Sequence, residues 1–573
     1  MSLTIALKVA QSGLALAEKQ LSTTASNITN ADTPGYTSKT YEATTYTSGT
    51  VTMPSGGKVQ GSLDYYIARS VVSTNSANQA ASTTSGYLDD YSASYGGTDG
   101  TSLSGTLDNL LSALQSDTTT GASQSSIVSA AQGFADQLNS LTESLQSQRT
   151  QADGQIGDTV NDANQQLTEI ASLNQQIAKA SASGGDTADL EDQRMQALQN
   201  LSSDMGVQYY IDSNNQMSVY TAGGATLVSQ SGAAQLSFTP TANVNSSMGY
   251  PGQLSGISVN GQDITANIQS GTLGALLTLR DSTLPQEQSK LDTLADTAST
   301  TLNSVLNQGA SLPPRTTLTG DTTVAGSDAF SATGSVRIAL TDSSGKVASV
   351  TDLDLSGLTT VDQVVDAING IAGLSANVTN GRLTITSTDS SLGVSLNEMD
   401  SSVGGSGEGF SQYFGLNDLF AGSGAAGIQV SSYLTANSGA LATGQLSNSA
   451  TLAAGDRGIA SGDTSIQTAL ANALTTSQSF PAAGNLGSKN TTLANYAATL
   501  VSGAATMASN ADANAQTAET SYNYYSDAYS SATGVNIDEE TANMTALQNA
   551  YAANAQLIAT VREMYQSLLQ AMQ

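Results

Sequence analysis

Apolar residues recur every seven positions at both ends of the chain. Ile537, Met544, Tyr551, Ile558, Tyr565 and Met572 form one series, and Leu547, Val561 and Leu568 form a second offset by three, with Asn554 interrupting it. This is an a/d seam, and it predicts a helix from Asn536 to Gln573. Asn536 is a favourable N-cap, Glu539 follows at capping-box spacing, and Asp538, Glu539 and Glu540 set negative charge against the positive end of the helix dipole. A helix of about 37 residues is about 55 Å long, and so narrow a stripe finds no cover within its own segment. Near the start, Leu7, Leu14, Leu21 and Ile28 repeat at the same interval, with Leu3, Ala10, Ala17 and Thr24 as a smaller offset series. The terminal helices are therefore expected to pair. In one reading they simply close a helical bundle, and in the other their stripes also bury against neighbouring subunits.

Between the ends the period changes twice. After a stretch from Tyr41 to about Tyr66 that reads as extended, helical spacing appears in Leu103, Leu107, Leu110, Leu111 and Leu114, and in Ile127, Ala131, Phe134, Leu138, Leu141 and Leu145. It continues in Ile156, Val160, Ala163, Leu167 and Ile170, then in Leu190, Leu198 and Leu201, which together predict a bundle. At Val207 the period falls to two. Val207, Tyr209 and Ile211, the turn residues Asp212 to Asn215, then Met217 and Val219 predict a hairpin, and Asn260-Gly261 predicts another tight turn. A helix after Pro285 carries Leu291, Leu294, Ala298, Leu302, Val305 and Leu306 on one face and ends before Pro313-Pro314.

From about Thr316 to Ser401 the chain reads as a small α+β unit. Val336 to Leu340 is strand-like, Asp342 to Gly345 is a turn, Thr360 and Gln363 cap a short helix through Ile368, and Asn380-Gly381 joins two strands. Ala421 to Gly462, rich in Gly, Ala and Ser, mixes strands with connections. Helical spacing then returns through Ile466, Leu470 and Leu474, and from Leu493 through Leu500 and Met507. The expected fold class is multidomain α plus β, with paired N- and C-terminal coiled-coil helices, a helical bundle and β-rich inserted outer domains. The expected division places the terminal helices and their linker in 1–65 and 531–573, the bundle in 66–205 plus 463–530, a β-rich domain in 206–315 plus 402–462, and the inserted α+β unit in 316–401.

Composition narrows the function. With 573 residues and 39% hydrophobic content the chain can bury several cores. Only 11% of residues are charged, yet the formal net charge is −30, and the 17 Lys and Arg are scattered singly. No basic cluster exists to neutralise phosphates, which argues against nucleic acid and anionic lipid partners. Cysteine, histidine and tryptophan are absent, removing disulfides, thiolate and imidazole metal sites, and the common nucleophile-histidine forms of catalysis. No run approaches the length needed to span a bilayer, so membrane insertion is not expected. Met1 to Ile5 lacks a basic n-region and an apolar core, which predicts that any export avoids the general secretory route.

The first seam leads into Ser26-Asn27-Ile28-Thr29-Asn30-Ala31-Asp32-Thr33-Pro34-Gly35-Tyr36. Pro34 pushes Thr33 toward extended geometry, and Pro-Gly suits a type II turn in which the glycine takes positive φ. The run resembles the N-terminal signature of bacterial flagellar rod, hook and hook-associated proteins. Asn27, Asn30, Thr33, Pro34, Gly35 and Tyr36 match that signature, while Asp32 stands where Asn is commonest. Further stretches are similar to the hook-associated protein 1 family within this group: Ser531 to Glu540, Gln548 to Ala555, Asp189-Leu190-Glu191-Asp192-Gln193-Arg194 with Gly206-Val207, and Gly409 to Leu416. The resemblance spans about 1–310 and 405–573 and is weakest over 320–400.

What the resemblance implies is structural. It implies a ring of copies of the chain at the junction between hook and filament, touching hook protein and the next hook-associated junction protein. It also implies export through the flagellar type III channel to the extracellular flagellum, with an export chaperone on the C-terminal helix beforehand. No reaction and no cofactor are implied. Assembly would run through Leu7, Leu14, Leu21, Ile28, Met544, Leu547, Tyr551, Ile558, Val561, Tyr565 and Leu568. Flagellin and hook protein are the nearest alternatives, the first disfavoured by the signature and the second by the long helical region from 100 to 205. An exported adhesin would use the β-rich centre and leave the terminal seams unexplained. An enzyme would need a carboxylate pair, but Asp89-Asp90, Asp352 with Asp354, and Glu539-Glu540 read more simply as solvated or capping charges. Asp352-Leu353-Asp354 also lacks the ligand spacing of a calcium loop.

Overall fold

The computed structural model describes residues 3–48, 51–96, 102–116 and 121–572. Helix α1 (Leu3–Thr29) ends within the signature, and strands β1 (Lys39–Ser48) and β2 (Val51–Gly61) follow. The stretch expected only to be extended is thus an antiparallel hairpin, with Lys39 opposite Gly61 and Ser48 opposite Val51. Next comes α2 (Tyr65–Ser94), a helix of 30 residues that the apolar pattern did not announce. Its buried positions include Asn75 and Ser76 beside Ala68, Val71 and Val72. Asn75 donates to the Gln199 carbonyl and the Ser202 hydroxyl, at 2.9 and 2.8 Å. Polar side chains satisfied in this way substitute for an aliphatic stripe.

Helix α3 (Leu103–Gln115) precedes α4 (Gly121–Ala182), whose 62 residues join the two seams read at Ile127 and Ile156 into one helix. Gly133, Gly154 and Gly157 lie inside it without ending it, because tertiary packing outweighs a propensity cost of about 1 kcal/mol each. Helix α5 (Ala188–Asp204) leads into the sheet β3 (Val207–Ile211), β4 (Met217–Thr221), β5 (Thr226–Ser229) and β6 (Gly232–Ala233), in that spatial order. The predicted hairpin is present, with Ile211 opposite Met217 and Asn215 at φ +60° in its turn. Strands β7 (Leu236–Ser237), β8 (Ser258–Val259) and β9 (Gln262–Asp263) form a second small sheet. Its Asn260-Gly261 turn has both residues at positive φ, as a two-residue hairpin loop requires.

Helices α6 (Gly271–Thr278) and α7 (Leu284–Leu306) come next, α7 burying Leu291, Leu294, Ala298, Leu302 and Leu306 as its spacing predicted. The α+β segment contains β10 (Thr317–Thr319), β11 (Ala332–Thr333), β12 (Ser335–Thr341), β13 (Val347–Asp354), α8 (Val361–Asn369), β14 (Leu374–Thr379), β15 (Arg382–Ser387) and β16 (Gly393–Asn397). Thr360 caps α8 by accepting the Gln363 N–H, while Gln363 reaches back to accept the Thr359 N–H at 2.7 Å. Three short helices follow, α9 (Phe410–Phe414), α10 (Gly424–Gly427) and α11 (Ser432–Ala436). Then come α12 (Ser465–Thr475), the 41-residue α13 (Leu493–Thr533) and α14 (Ile537–Ala571). The expected end of the last helix, Gln573, lies outside the described residues. Among the described residues no helix is long and apolar enough to cross a membrane.

Contacts divide the chain into two units. The first comprises Met1–Tyr87, Thr150–Asp281 and Ser509–Gln573. It holds the α1–α14 pair, the β1–β2 hairpin, α5 and the β3–β6 sheet. Arg280 is fully buried here, donating to Asp153 Oδ1 at 2.6 Å, to both oxygens of Asp281 and to the Ser255 carbonyl. Pairing and full hydrogen bonding are what make such a buried charge tolerable. Asp204, at the end of α5, is pushed up to about 7 by burial and by the nearby Asp162. A carboxyl raised in the folded state favours folding below its unfolded value, and that stability is lost as pH rises through about 7. Asp204→Asn is therefore expected to stabilise the protein more at pH 8 than at pH 5, read as the difference between variant and wild-type urea midpoints.

The second unit comprises Leu88–Arg149 and Ser282–Ala508. Helix α12 packs on α3 and α7, and Gln467 donates to the Leu114 carbonyl at 2.6 Å. A buried chain runs from Tyr95 through Tyr91 to Glu287, where Lys290 completes it. The α+β segment has its own core, with Val336, Ile338, Leu340, Val364, Ile368, Leu383 and Ile385 buried together with Phe410 and Phe414. Asp352, expected to be a solvated charge, is held bidentately by Arg337 at 2.6 and 2.8 Å. The strand places the two groups opposite each other in register.

Candidate assembly site

Three of the stretches that carried the resemblance meet in one place. Asn27, in the last turn of α1, is fully buried. Its Oδ1 accepts the Lys39 N–H at 3.1 Å and the Tyr36 hydroxyl at 3.0 Å; its Nδ2 donates to the Lys39 carbonyl and to Glu540 Oε1, each at 2.8 Å. An amide side chain offers two donors and an acceptor oxygen, and here both ends are used. Asn27 thereby fastens the end of α1 to β1 and to the first turn of α14. Asn30 donates back to the Ser26 carbonyl at 2.9 Å, and Thr33 accepts the Tyr36 N–H at 3.1 Å across the Pro34-Gly35 turn. Gly35 sits at φ +80°, the positive value expected of a type II turn.

Beyond the turn, Thr37 donates its N–H and its hydroxyl to the two oxygens of Asp192, at 3.1 and 2.7 Å. The Lys39 ammonium pairs with Asp189, lies 3.2 Å from Asp192 and covers the Tyr36 ring at 3.8 Å. Burial opposes the charge on Lys39, but the hydrogen bond to Asp189 and the field of Asp192 hold its proton above the ordinary lysine value. Asp192 is pushed up by burial, with the Thr37 bonds and Lys39 acting the other way. Two residues on, Arg194 turns to the β3–β4 hairpin, bonding Asn174 and both the carbonyl and the amide oxygen of Asn215. The Asp189-to-Arg194 segment thus holds the N-terminal signature with its carboxylates and the hairpin turn with its guanidinium. The C-terminal segment joins through Thr533, whose carbonyl accepts the Ser38 N–H at 2.6 Å and the Ser62 hydroxyl at 3.2 Å.

From this hub the terminal helices run antiparallel. Asn27 bonds Glu540, a Cβ on Gly13 would come within 2.9 Å of Asn554, and the Thr4 and Tyr565 hydroxyls are 2.7 Å apart. Asn536 caps α14 by accepting the Asp538 and Glu539 N–H groups. Glu540, read from sequence as a solvated or capping charge, is instead 7% exposed and bound to Asn27. On α1 the covered positions are Ala10, Ala17 and Thr24, from the small series, together with Asn27. Small side chains let two helices approach closely, so they take the inner face. Leu7, Leu14, Leu21 and Ile28 are only half-buried. On α14, Val561 is buried, while Met544, Leu547, Ile558 and Tyr565 are half-buried. Tyr551 and Leu568 stay exposed at 42% and 49%.

A groove of about 480 Å³ lies between the signature turn and α5, with Pro34, Gly35 and Tyr36 on one wall and Gln193 and Gln196 on the other. An added Cβ on Gly35 would meet Gln196 Oε1 at 2.7 Å as well as being strained at its φ. Gly35→Ala is expected to cost about 1–2 kcal/mol, chiefly through backbone strain, since the tip of Gln196 can move. Urea unfolding of the full chain measures it.

Known proteins resemble the chain over the segments that meet here. The model for the flagellar hook-associated protein FlgK helical domain matches residues 88–322, that for the flagellar basal body rod FlgEFG protein C-terminal segment matches 527–571, and that for flagella basal body rod proteins matches 7–37. Flagellar hook-associated protein 1 of Salmonella typhimurium is 29% identical over 307 residues, 50% of this chain and 53% of that protein. Over the matched segments the chain is similar to the hook-associated protein 1 family. Its Escherichia coli member is 27% identical over 305 residues, 50% of this chain and 54% of that protein. The chain spans about half the length of these curated relatives. The solved structure of the flagellar hook junction protein FlgK from Burkholderia pseudomallei aligns with a TM-score of 0.51 at 19% identity, over 80% of this chain and 99% of that one. That likeness establishes the shared multidomain α plus β fold. The rod-protein models match the two ends of the chain, and the hook-associated helical-domain model matches the segment from 88 to 322 between them.

Proposed function

We propose that the protein is a structural subunit of the bacterial flagellum that forms the junction between hook and filament and carries out no reaction. The observation that carries this is the division of labour on α1. Its small series is spent on α14 within the chain, while Leu7, Leu14, Leu21 and Ile28 remain half-open and Tyr551 and Leu568 of α14 are exposed. A stripe left half-covered on two long helices is stabilised further when neighbours bury it. The neighbours in this reading are further copies in a ring, hook protein on one side and the next hook-associated protein on the other. Export runs through the flagellar type III channel, with a chaperone on the C-terminal helix beforehand. A heterologous contact repeated around an axis closes such a ring.

Co-sedimentation of the purified protein with isolated hooks tests the proposal. Pelleting that saturates at a small fixed number of copies per hook end supports a junction protein. Pelleting that grows without limit points to a filament subunit, and its absence overturns the axial reading.

A further inference from the structure

The first unit carries a second surface that the terminal helices do not account for. Beside the start of α2 lies a cavity of about 510 Å³, adjoined by another of about 400 Å³, with Arg69 and Tyr209 lining both. Tyrosine dominates the first: Tyr66 and Tyr210 are 84% and 60% exposed. Aromatic residues make up only 5% of this chain, so the concentration at one spot is distinctive. Tyr209 is 7% exposed, and burial pushes its phenol up while the neighbouring Arg69 side chain acts the other way.

Two further features define what would fit. Strand β3, which supplies Tyr209 and Tyr210, is the outermost in the order β3-β4-β5-β6, so among the described residues its second row of backbone N–H and C=O groups faces no strand. An extended segment can pair with such an edge, its backbone supplying affinity and its side chains specificity. Arg69 is exposed above the Tyr209 ring, 5.6 Å from its centroid, and no carboxylate lies within ion-pair distance of it among the described residues. The carboxylate of Asp212, on the same cavity, is already engaged by the Asn214 and Gln216 N–H groups and by Gln230. The site therefore asks for an extended backbone bearing a carboxylate.

We propose that this groove receives an extended, acidic segment of a second copy of the chain, laid along the free edge of β3 with a carboxylate on Arg69 and its side chains between Tyr66 and Tyr210. Charge complementarity selects the occupant: with 47 Asp and Glu against 17 Lys and Arg, acidic segments are what another copy presents. The inference rests on the ring assembly proposed above and adds to it a defined copy-to-copy contact. Aromatic and arginine anchors of this kind dominate interface energies.

The test uses the full chain with Tyr66→p-benzoylphenylalanine, added to isolated hooks and irradiated. The expected product has twice the chain mass, and its yield falls about tenfold or more when Arg69→Glu is added, a change at an exposed position that leaves the fold intact. Normal addition to hooks with cross-links only to hook subunits, or with none, overturns the groove contact while leaving the junction reading standing. An Arg69→Glu variant that cross-links as well as wild type overturns the assigned chemistry. Failure of the unlabelled wild-type chain to add to hooks overturns both.

Discussion

Leu14→Asp is expected to leave the purified protein folded and to abolish its addition to hook ends. Leu14 is half-buried on α1, outside the small-residue face of Ala10 and Ala17 that packs within the chain. In the isolated subunit the new carboxylate keeps much of its water, so the cost to the helix pair is about 1 kcal/mol. Once a neighbour covers the position, an unpaired charge costs several kcal/mol. Since each 1.4 kcal/mol is about tenfold in affinity, the loss in hook-end binding is at least about 100-fold. Ile558→Asp on the facing helix should behave in the same way, because Ile558 is also only half-covered. Ala17→Asp is the informative contrast: Ala17 is 2% exposed, so a carboxylate there opens the α1–α14 pair in the monomer itself. Circular dichroism and hook co-sedimentation on the three variants separate the two faces. Wild-type addition by Leu14→Asp would remove the large series from the assembly interface.

Much of the fold was legible because its signals were local. The Asn536 cap is set by a side chain that accepts the helix's first free N–H groups, and the Pro34-Gly35, Asn260-Gly261 and Asn380-Gly381 turns by positive-φ conformations few residues adopt; all four appear. The long amphipathic helices were legible through their period. Helix α2 was not, because Asn75 and Ser76 take buried positions through hydrogen bonds to α5 and beyond that no periodicity reports. The single length of α4 was equally hidden, since its apolar positions read as two successive series, and the Gly154 between them is absorbed by packing over 62 residues. At the assembly site the signature was visible but its partners were not. Which of two heptad series on α1 faces inward depends on how closely α14 approaches, and that is a tertiary fact. Glu540 was the plainest miss: as one of three consecutive acids at a helix start it reads as a dipole charge, and only the arrival of Asn27 from the other end of the chain makes it a buried partner.

Asn27→Ala is expected to release the hub while leaving most of each unit folded. It removes donors and acceptors for four groups at once: the Glu540 carboxylate, the Tyr36 hydroxyl, and the N–H and C=O of Lys39. A buried carboxylate stripped of its donor is the costliest of these, and the sum favours local opening by about 2–4 kcal/mol. Amide exchange in the first turns of α14 and in β1 should accelerate by about 30- to 1000-fold, while the core of the α+β segment exchanges as before. Asn27→Asp separates hydrogen bonding from size. It keeps the shape but sets a second carboxylate where Nδ2 stood 2.8 Å from Glu540. Two carboxylates that close cannot both be ionised, so one must hold a proton for the helices to stay joined. The shared proton means a raised folded-state affinity, which stabilises the pair at low pH and is lost as pH rises. Exchange in Asn27→Asp, corrected for intrinsic rates, should therefore slow toward wild type between about pH 8 and about pH 5, whereas Asn27→Ala stays open at both. Equal opening of the two variants at pH 5 would mean that Asn27 acts by filling space and not by bridging the two ends of the chain.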